Sequence, residues 1–318
     1  MKAIVNKSYG PPSTLQLMEV PKPEPKDNEV LVRVLAASLN KADLFILSGS
    51  PFPVRLMAGL FKPSIQILGA DVAGIIERVG SKVSQFQVGD AVFGDLSSSG
   101  FGGFSEYAVA EESLFAKKPS NLSFEEAASL PMAAVTALQG LRNTGSIAAG
   151  ESILINGASG GVGNYAIQIA KAFGANVTAV CSTKNREIAK KSGADKVIDY
   201  SLIDFTQTEE KYDLILDMVA NKSIHEITKI LRKNGRYIAC AFSAEAMITG
   251  PWISLLERKK VKNFLAKTNQ ADLQFIAKLA EESKLTPNIQ QTFTLDDVPE
   301  AMEMLGKSGI SGKLVITI

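Results

Sequence analysis

Between Ser152 and Phe173 an apolar run, SILIN, enters the glycine-rich stretch GASGGVG and continues into a segment with helical spacing. Few folds pass a buried strand straight through a tight glycine turn into a helix. The turn contains Ala158-x-Gly160-x-x-Gly163, a G-x-G-x-x-G pattern with alanine in place of the first glycine. At the second position only glycine lets a pyrophosphate approach the backbone, and at the third only glycine lets the helix pack closely on the strand. The unpaired N–H groups and positive end of the helix then hold the anion. Ala158, Ser159, Gly160, Gly161, Val162 and Gly163 are therefore expected to cradle a dinucleotide.

The flanking sequence supports that context. Strands are expected at Ser152–Asn156, Asn176–Cys181, Lys196–Asp199, Asp213–Asp217, Arg236–Ala241 and Lys262–Ala266. Helices are expected at Gly161–Phe173, Asn185–Lys191 and Lys222–Arg232 between them. Such alternation implies parallel pairing, hence an α/β fold with a doubly wound Rossmann sheet. Ser123 followed by Glu126 opens a further helical run as a capping box. Upstream the pattern is β, with strands expected at Met1–Val5, Glu29–Ala37, Asp71–Val79, Asp90–Phe93 and Ser105–Ala110. The apolar segment Leu47–Gln66, with three prolines, reads as a long loop. Helix Ala271–Ser283 and strand Lys313–Ile318 are expected to return to the first domain, because a lone terminal strand needs a sheet edge.

The end of the second strand discriminates between dinucleotides. An acid about 20 residues past the glycines accepts from the ribose 2′-OH of NAD. Here the chain reads Cys181-Ser182-Thr183-Lys184-Asn185-Arg186, without an acid before Glu187. Hydroxyls at Ser182 and Thr183 with the cations Lys184 and Arg186 suit a 2′-phosphate instead, so NADPH is the expected cofactor.

Composition narrows the partners. A net charge of +1 in 318 residues gives no reason to expect nucleic acid or an anionic membrane. No apolar run reaches the roughly 18 residues of a membrane helix, and the N-terminus lacks the apolar core of a signal peptide. Two cysteines suit a reducing compartment, so the chain reads as cytoplasmic.

A set of longer motifs extends the argument. These are Ala37–Asp43, Gly69-Ala-Asp71-Val-Ala-Gly74, Val88–Gly94, Gly103–Tyr107, Leu130-Pro131 through Ala137, Gly193-Ala-Asp195, Asp199-Tyr200 and Gly312–Ile316. Together with the glycine turn they resemble the zinc-free quinone oxidoreductase and enone reductase branch of the medium-chain dehydrogenase/reductase superfamily. The resemblance implies a mostly β GroES-like substrate domain at 1–122 and 268–318, and a Rossmann domain at 123–267. It places Asn40 beside the nicotinamide and substrate, Thr136 against the nicotinamide ring and Tyr200 near the adenine. It also implies that Val219, Ala241, Phe242, Ser243 and Lys313 border the cofactor. Zinc-dependent relatives carry a Cys within the segment aligned with Ala37–Asp43 and a His-Glu at Ala70-Asp71. Neither is present, and the only histidine is His225, so no metal is expected.

Without a Lewis acid, the accessible reaction is hydride delivery to a C=C conjugated with a carbonyl, or to a quinone. Some bacterial relatives carry Tyr where this chain has Phe45. Lys41 and Tyr107 are the substitute candidates for a proton donor. Phe45, Phe52, Met57, Phe61, Phe101 and Trp252 are candidates for an apolar substrate pocket. Two other readings stay open: an NADPH-binding sensor or structural protein with little turnover, and an enoyl-thioester reductase. The latter would use a basic patch drawn from Arg55, Lys62, Arg258, Lys259 and Lys260. The edge strand at Lys262–Ala266 offers a homodimer contact in this family.

Overall fold

A computed structural model of the chain describes residues 1–240, 243–307 and 309–318. They divide into two compact units, one formed by Met1–Met132, Thr268–Ser283 and Pro287–Ile318, the other by Ala133–Lys267 and Lys284–Thr286.

The second unit is built on a parallel sheet. Its strands are Ser152–Asn156, Asn176–Cys181, Lys196–Asp199, Tyr212–Asp217, Leu231–Ala239 and Lys260–Asn263. Numbered along the chain they stand in the order 3-2-1-4-5-6. That is the doubly wound dinucleotide-binding arrangement, and strand order reverses between the first strand and the fourth. Ile153, Leu154 and Ile155 are buried on both faces, which explains why this strand reads as continuous apolar sequence rather than as an alternation. Helix Gly161–Ala172 buries Tyr165, Ala166, Ile167, Ile169 and Ala170, a helically spaced apolar face.

Three expectations need correction here. The last strand is Lys260–Asn263, shifted toward the N-terminus from Lys262–Ala266, and it pairs in register with Arg236–Ala239. The helix expected at Lys222–Arg232 is only Ile224–Lys229. Ser223 sets its start through a capping box, with Ser223 N–H donating to Glu226 Oε2 at 3.0 Å and Glu226 N–H to Ser223 Oγ at 3.2 Å. The run after Ser123 is two helices, Phe124–Ala128 and Pro131–Leu138, the second ending in a wider π-type turn at Gln139–Thr144. Proline at the first position of the second helix has no N–H to continue the first. Helix Phe124–Ala128 belongs to the first unit.

The first unit contains a hairpin, Lys2–Val5 with Gln16–Glu19, and a seven-stranded sheet among the described residues. Strand Glu29–Ser38 lies at its centre and pairs antiparallel with Asp71–Val79, with Tyr107–Glu111 and with Lys313–Thr317. The C-terminal strand therefore does return, with Val315 opposite Ser38 and Thr317 opposite Ala36. It also pairs in parallel with Ile289–Thr294. Val30, Val32, Val34, Val72, Ile76, Val92, Phe104, Phe115, Leu314 and Ile316 close one continuous core. The stretch expected as a plain loop at Leu47–Gln66 contains a helix, Pro53–Ala58, begun by a proline.

Candidate cofactor-binding and active site

In the second unit the glycine turn leaves the first strand at the point where strand order reverses, which is where doubly wound sheets bind ligands. The two diagnostic glycines differ in what surrounds them. A Cβ on Gly163 would lie 2.2 Å from Gly157 O and 2.7 Å from Ala158 Cα, so this position accepts no side chain. A Cβ on Gly160 would meet only Gly157 O, at 3.6 Å. Gly163 thus closes helix against turn, while Gly160 faces open space at the start of a 12-residue helix. Gly160 has φ −71° and ψ 174°, an extended geometry available to any residue. Glycine there leaves the space in front of the helix start open. The turn therefore fits a dinucleotide pyrophosphate.

Two unforeseen residues fix this turn. Asn185 is buried and its Nδ2 donates to Ser159 Oγ at 2.9 Å, tying the end of the second strand to the cradle. Asp217, fully buried at the end of the fourth strand, accepts from Asn156 Nδ2 at 2.9 Å, Val219 N at 2.8 Å, Ala220 N at 2.9 Å and Tyr237 Oη at 3.1 Å. These bonds hold Val219 over Gly157, where an added Cβ would touch Val219 Cγ2 at 2.9 Å. In the sequence both are single polar residues inside loops or at strand ends, with no spacing to mark them.

The remaining cofactor candidates of this unit sit as follows. Thr136 is half-buried in helix Pro131–Leu138. Ser182 and Arg186 are half-buried, and Thr183 and Lys184 are exposed. Tyr200 is exposed directly after strand Lys196–Asp199. Ser243 caps helix Ala244–Leu256, its Oγ accepting from Ala246 N at 3.2 Å. Ala241 and Phe242 lie outside the described residues. Burial pushes the Cys181 thiol up to about 11 and that of Cys240 up to about 12, so neither supplies a thiolate at neutral pH.

In the first unit, polar residues expected to act separately form one buried network. Asn40 caps helix Lys41–Ser48, and its N–H donates to Asp43 Oδ2 at 2.8 Å. Asp43 Oδ1 accepts from Gly69 N at 3.0 Å. The Asn40 carboxamide accepts from Lys313 Nζ through Oδ1 at 2.6 Å and donates through Nδ2 to Asp71 Oδ2 at 2.9 Å. Asp71 also accepts from Ser38 Oγ at 2.9 Å, from Lys313 Nζ at 3.3 Å and, through Oδ1, from Met132 N at 2.9 Å. Burial pushes both carboxyls up, Asp43 to about 7, while the backbone donors on Asp43 and the Lys313 ammonium beside Asp71 oppose the shift.

Lys41 and Tyr107, the candidate proton donors, are occupied elsewhere. Lys41 Nζ donates to Leu305 O at 2.6 Å, one of the carbonyls that helix Val298–Gly306 leaves free at its C-terminal end. Tyr107 lies on strand Tyr107–Glu111 with Lys22 Nζ 3.5 Å from its ring centroid, and Lys22 is paired with Glu77. Each side chain thus has a structural partner within the first unit. Phe101 is more enclosed than the other apolar candidates. It is buried at a left-handed φ of 67°, its N–H donating to Leu96 O at 3.0 Å, and so serves the packing of its own loop. Phe45, Phe52, Met57 and Phe61 are exposed along one stretch of the first unit, and Trp252 is exposed on a helix of the second.

The basic patch is thinner than its sequence suggests. Arg55 Nε donates to Gly49 O at 3.1 Å and its guanidinium stacks on Tyr9. Lys259 Nζ is held by Thr228 O at 2.7 Å and by Glu257 at 3.0 Å. His225 is exposed on helix Ile224–Lys229, and among the described residues no three His, Cys, Asp or Glu side chains are grouped to hold a metal ion.

Comparison with known proteins identifies the family. An alcohol dehydrogenase GroES-like domain profile matches residues 26–120, and a zinc-binding dehydrogenase profile matches residues 192–316. The chain is 35% identical over 331 residues to the 2-methylene-furan-3-one reductase of Solanum lycopersicum, covering 99% of this chain and 79% of that protein. The chain belongs to the quinone oxidoreductase branch of the medium-chain dehydrogenase/reductase superfamily. It is 32% identical over 333 residues to the chloroplastic NADPH-dependent alkenal/one oxidoreductase of Arabidopsis thaliana, covering 99% of this chain and 79% of that protein. The solved quinone oxidoreductase of Coxiella burnetii superposes with a TM-score of 0.90 at 33% identity, covering 100% of this chain and 99% of that one. Members of this superfamily with such a nucleotide-binding domain use NAD(P)H. The first unit is accordingly the GroES-like domain and the second the Rossmann domain.

Proposed function

We propose that this chain is an NADPH-dependent oxidoreductase that reduces quinones and α,β-unsaturated carbonyl compounds without a metal. The observation that carries the reading is the pair of glycines, with Gly163 closed to any side chain and Gly160 open to an approaching ligand. The names of the relatives, a furanone reductase, an alkenal/one oxidoreductase and a quinone oxidoreductase, share one substrate chemistry, a C=C conjugated with a carbonyl.

When bound, the reduced nicotinamide supplies a hydride to the electron-poor carbon. The residues proposed to hold the cofactor are Ala158–Gly163 and Asn185 around the pyrophosphate, with Thr136, Tyr200, Val219 and Ser243 along the rest. Ser182, Thr183, Lys184 and Arg186 are proposed to receive the 2′-phosphate. Lys184 is exposed with no acidic partner among the described residues, so its charge is available. Asn40 is proposed to face the nicotinamide and the substrate. With Lys41 and Tyr107 engaged, the proton that completes reduction of an enone is assigned to solvent.

The apolar side chains Phe45, Phe52, Met57 and Phe61 suit a hydrophobic acceptor, and Trp252 is retained in the same proposed role. Strand Lys260–Asn263 stands last in its sheet, so a homodimer formed by pairing along that edge is part of the proposal. Among the described residues no helix is long and apolar enough to cross a membrane. Cys181 and Cys240 are unpaired, which suits the cytoplasm. The test is steady-state NADPH oxidation with a panel of small enones, enals and quinones, and enoyl-CoA as the comparison. Turnover of enones or quinones above enoyl-CoA is expected. Tight NADPH binding with no turnover of any acceptor would favour a sensor.

A further inference from the structure

We propose that Lys313 and Asp71 are a positioning pair that sets the orientation of the Asn40 carboxamide for hydride transfer. The inference rests on the reading above that Asn40 faces the nicotinamide and the substrate.

A carboxamide has two unlike ends, an acceptor oxygen and a donor nitrogen, and rotation by half a turn exchanges them. Around Asn40 the partners are themselves one-sided. Lys313 Nζ can only donate, and it meets Oδ1 at 2.6 Å. Asp71 Oδ2 as a carboxylate can only accept, and it meets Nδ2 at 2.9 Å. Reversing the amide would set N–H against ammonium and oxygen against carboxylate, so only one orientation is compatible with the site. The environment strengthens that selection. Lys313 is 4% exposed, Asp71 0% and Asn40 8%, and polar interactions gain strength where water is excluded.

Neither partner is free to adapt. Asp71 is pinned by Ser38 Oγ and by the N–H of Met132, and its strand is paired with Glu29–Ser38. Lys313 begins the strand whose Val315 pairs with Ser38, and its own N–H donates to Asn288 O at 2.8 Å. The Asn40 backbone is fixed by Asp43. An apolar side chain at 313 would fill the same space without the desolvation cost of a buried ammonium. Among the described residues the Lys313 ammonium is hydrogen-bonded to Asn40 and Asp71. Packing of the strand does not account for it, whereas orientation of Asn40 does.

The test is a double-mutant cycle on the full chain, with Asn40→Ala, Lys313→Met and the pair, using NADPH and but-3-en-2-one. The readouts are kcat/KM, the isotope effect on kcat with 4-deuterated NADPH, and the melting temperature. Each single substitution is expected to lower kcat/KM by at least about tenfold and to raise the isotope effect. The double variant is expected within about threefold of the more damaged single, because both remove one interaction. Loss of folded protein alone lowers kcat and leaves the isotope effect and the coupling unchanged. If Lys313→Met does not fold, Asp71→Asn/Lys313→Met replaces it in the cycle, since that pair removes both buried charges together. Losses that multiply overturn the proposal, as does a wild-type kcat/KM in the 313 variant while Asn40→Ala is impaired. An unimpaired Asn40→Ala overturns both the proposal and the role of Asn40.

Discussion

Gly160→Ala and Gly163→Ala look equivalent in sequence but should behave oppositely. At Gly163 the new Cβ falls 2.2 Å from Gly157 O and 2.7 Å from Ala158 Cα, both backbone atoms of a turn closed on the sheet. Relief requires the helix to move off the strand, an overpacking cost of about 1–3 kcal/mol. In a domain of this size each kcal/mol lowers the melting temperature by roughly 2–4 °C. At Gly160 the Cβ meets one atom, at 3.6 Å. Alanine loses the preference of the N-cap for glycine, up to about 1 kcal/mol, and regains about 0.4–1 kcal/mol by restricting the unfolded chain. Those terms offset, so the Gly160 variant should melt within a degree or two of wild type. Its methyl instead occupies the space a pyrophosphate must enter, and NADPH affinity should fall at least about tenfold, or about 1.4 kcal/mol. Fluorescence titration with NADPH and thermal melts on both variants read the two effects separately. A Gly160→Ala protein that binds NADPH as tightly as wild type would refute the placement of the phosphate.

Replacing Lys184 and Arg186 by Gln should weaken NADPH binding at least about tenfold and leave NADH binding little changed. Equal affinities for the two cofactors in the wild type would contradict the proposed 2′-phosphate site. Asp43 titrates near 7 in the folded chain and near 4 when unfolded, so between these values the native state holds the extra proton. Its contribution to stability is present in full below about pH 4 and is lost as pH rises toward 7, by up to about 4 kcal/mol. Urea unfolding of wild type and Asp43→Asn from pH 5 to 7.5 should show a steeper downward slope in wild type than in the variant, and parallel curves would count against the shift. Asn185→Ala should cost about 1 kcal/mol of stability and weaken NADPH binding, because Ser159 loses its donor. An unchanged dissociation constant would separate Asn185 from the cradle.

Legibility in the sequence followed the range of the interactions. The strands at Ser152–Asn156 and Asn176–Cys181 and the helix after Gly160 were readable because each carries its own period and ends at a glycine or a polar break. The shift of the last strand to Lys260–Asn263 follows from its register against Arg236–Ala239, a pairing that local composition does not encode. Site residues show the same contrast. Gly160 and Gly163 were visible because the glycine spacing and its strand-to-helix context are local. The partners of Lys41 and Tyr107, Leu305 and Lys22, were not legible because they lie 264 and 85 positions away along the chain. Asp71 and Lys313 are 242 residues apart and meet only because the C-terminal strand returns beside Glu29–Ser38. That return was foreseeable, but which side chains it would join was not.

The most direct test of the account is initial-rate NADPH oxidation by the purified chain, dialysed against a chelator, with but-3-en-2-one and 1,4-benzoquinone as acceptors. The account predicts turnover of at least one acceptor that is unchanged by the chelator, prefers NADPH to NADH and is strongly reduced in Gly160→Ala. Absence of turnover with both acceptors, or activity that disappears on chelation and returns with zinc, would contradict it.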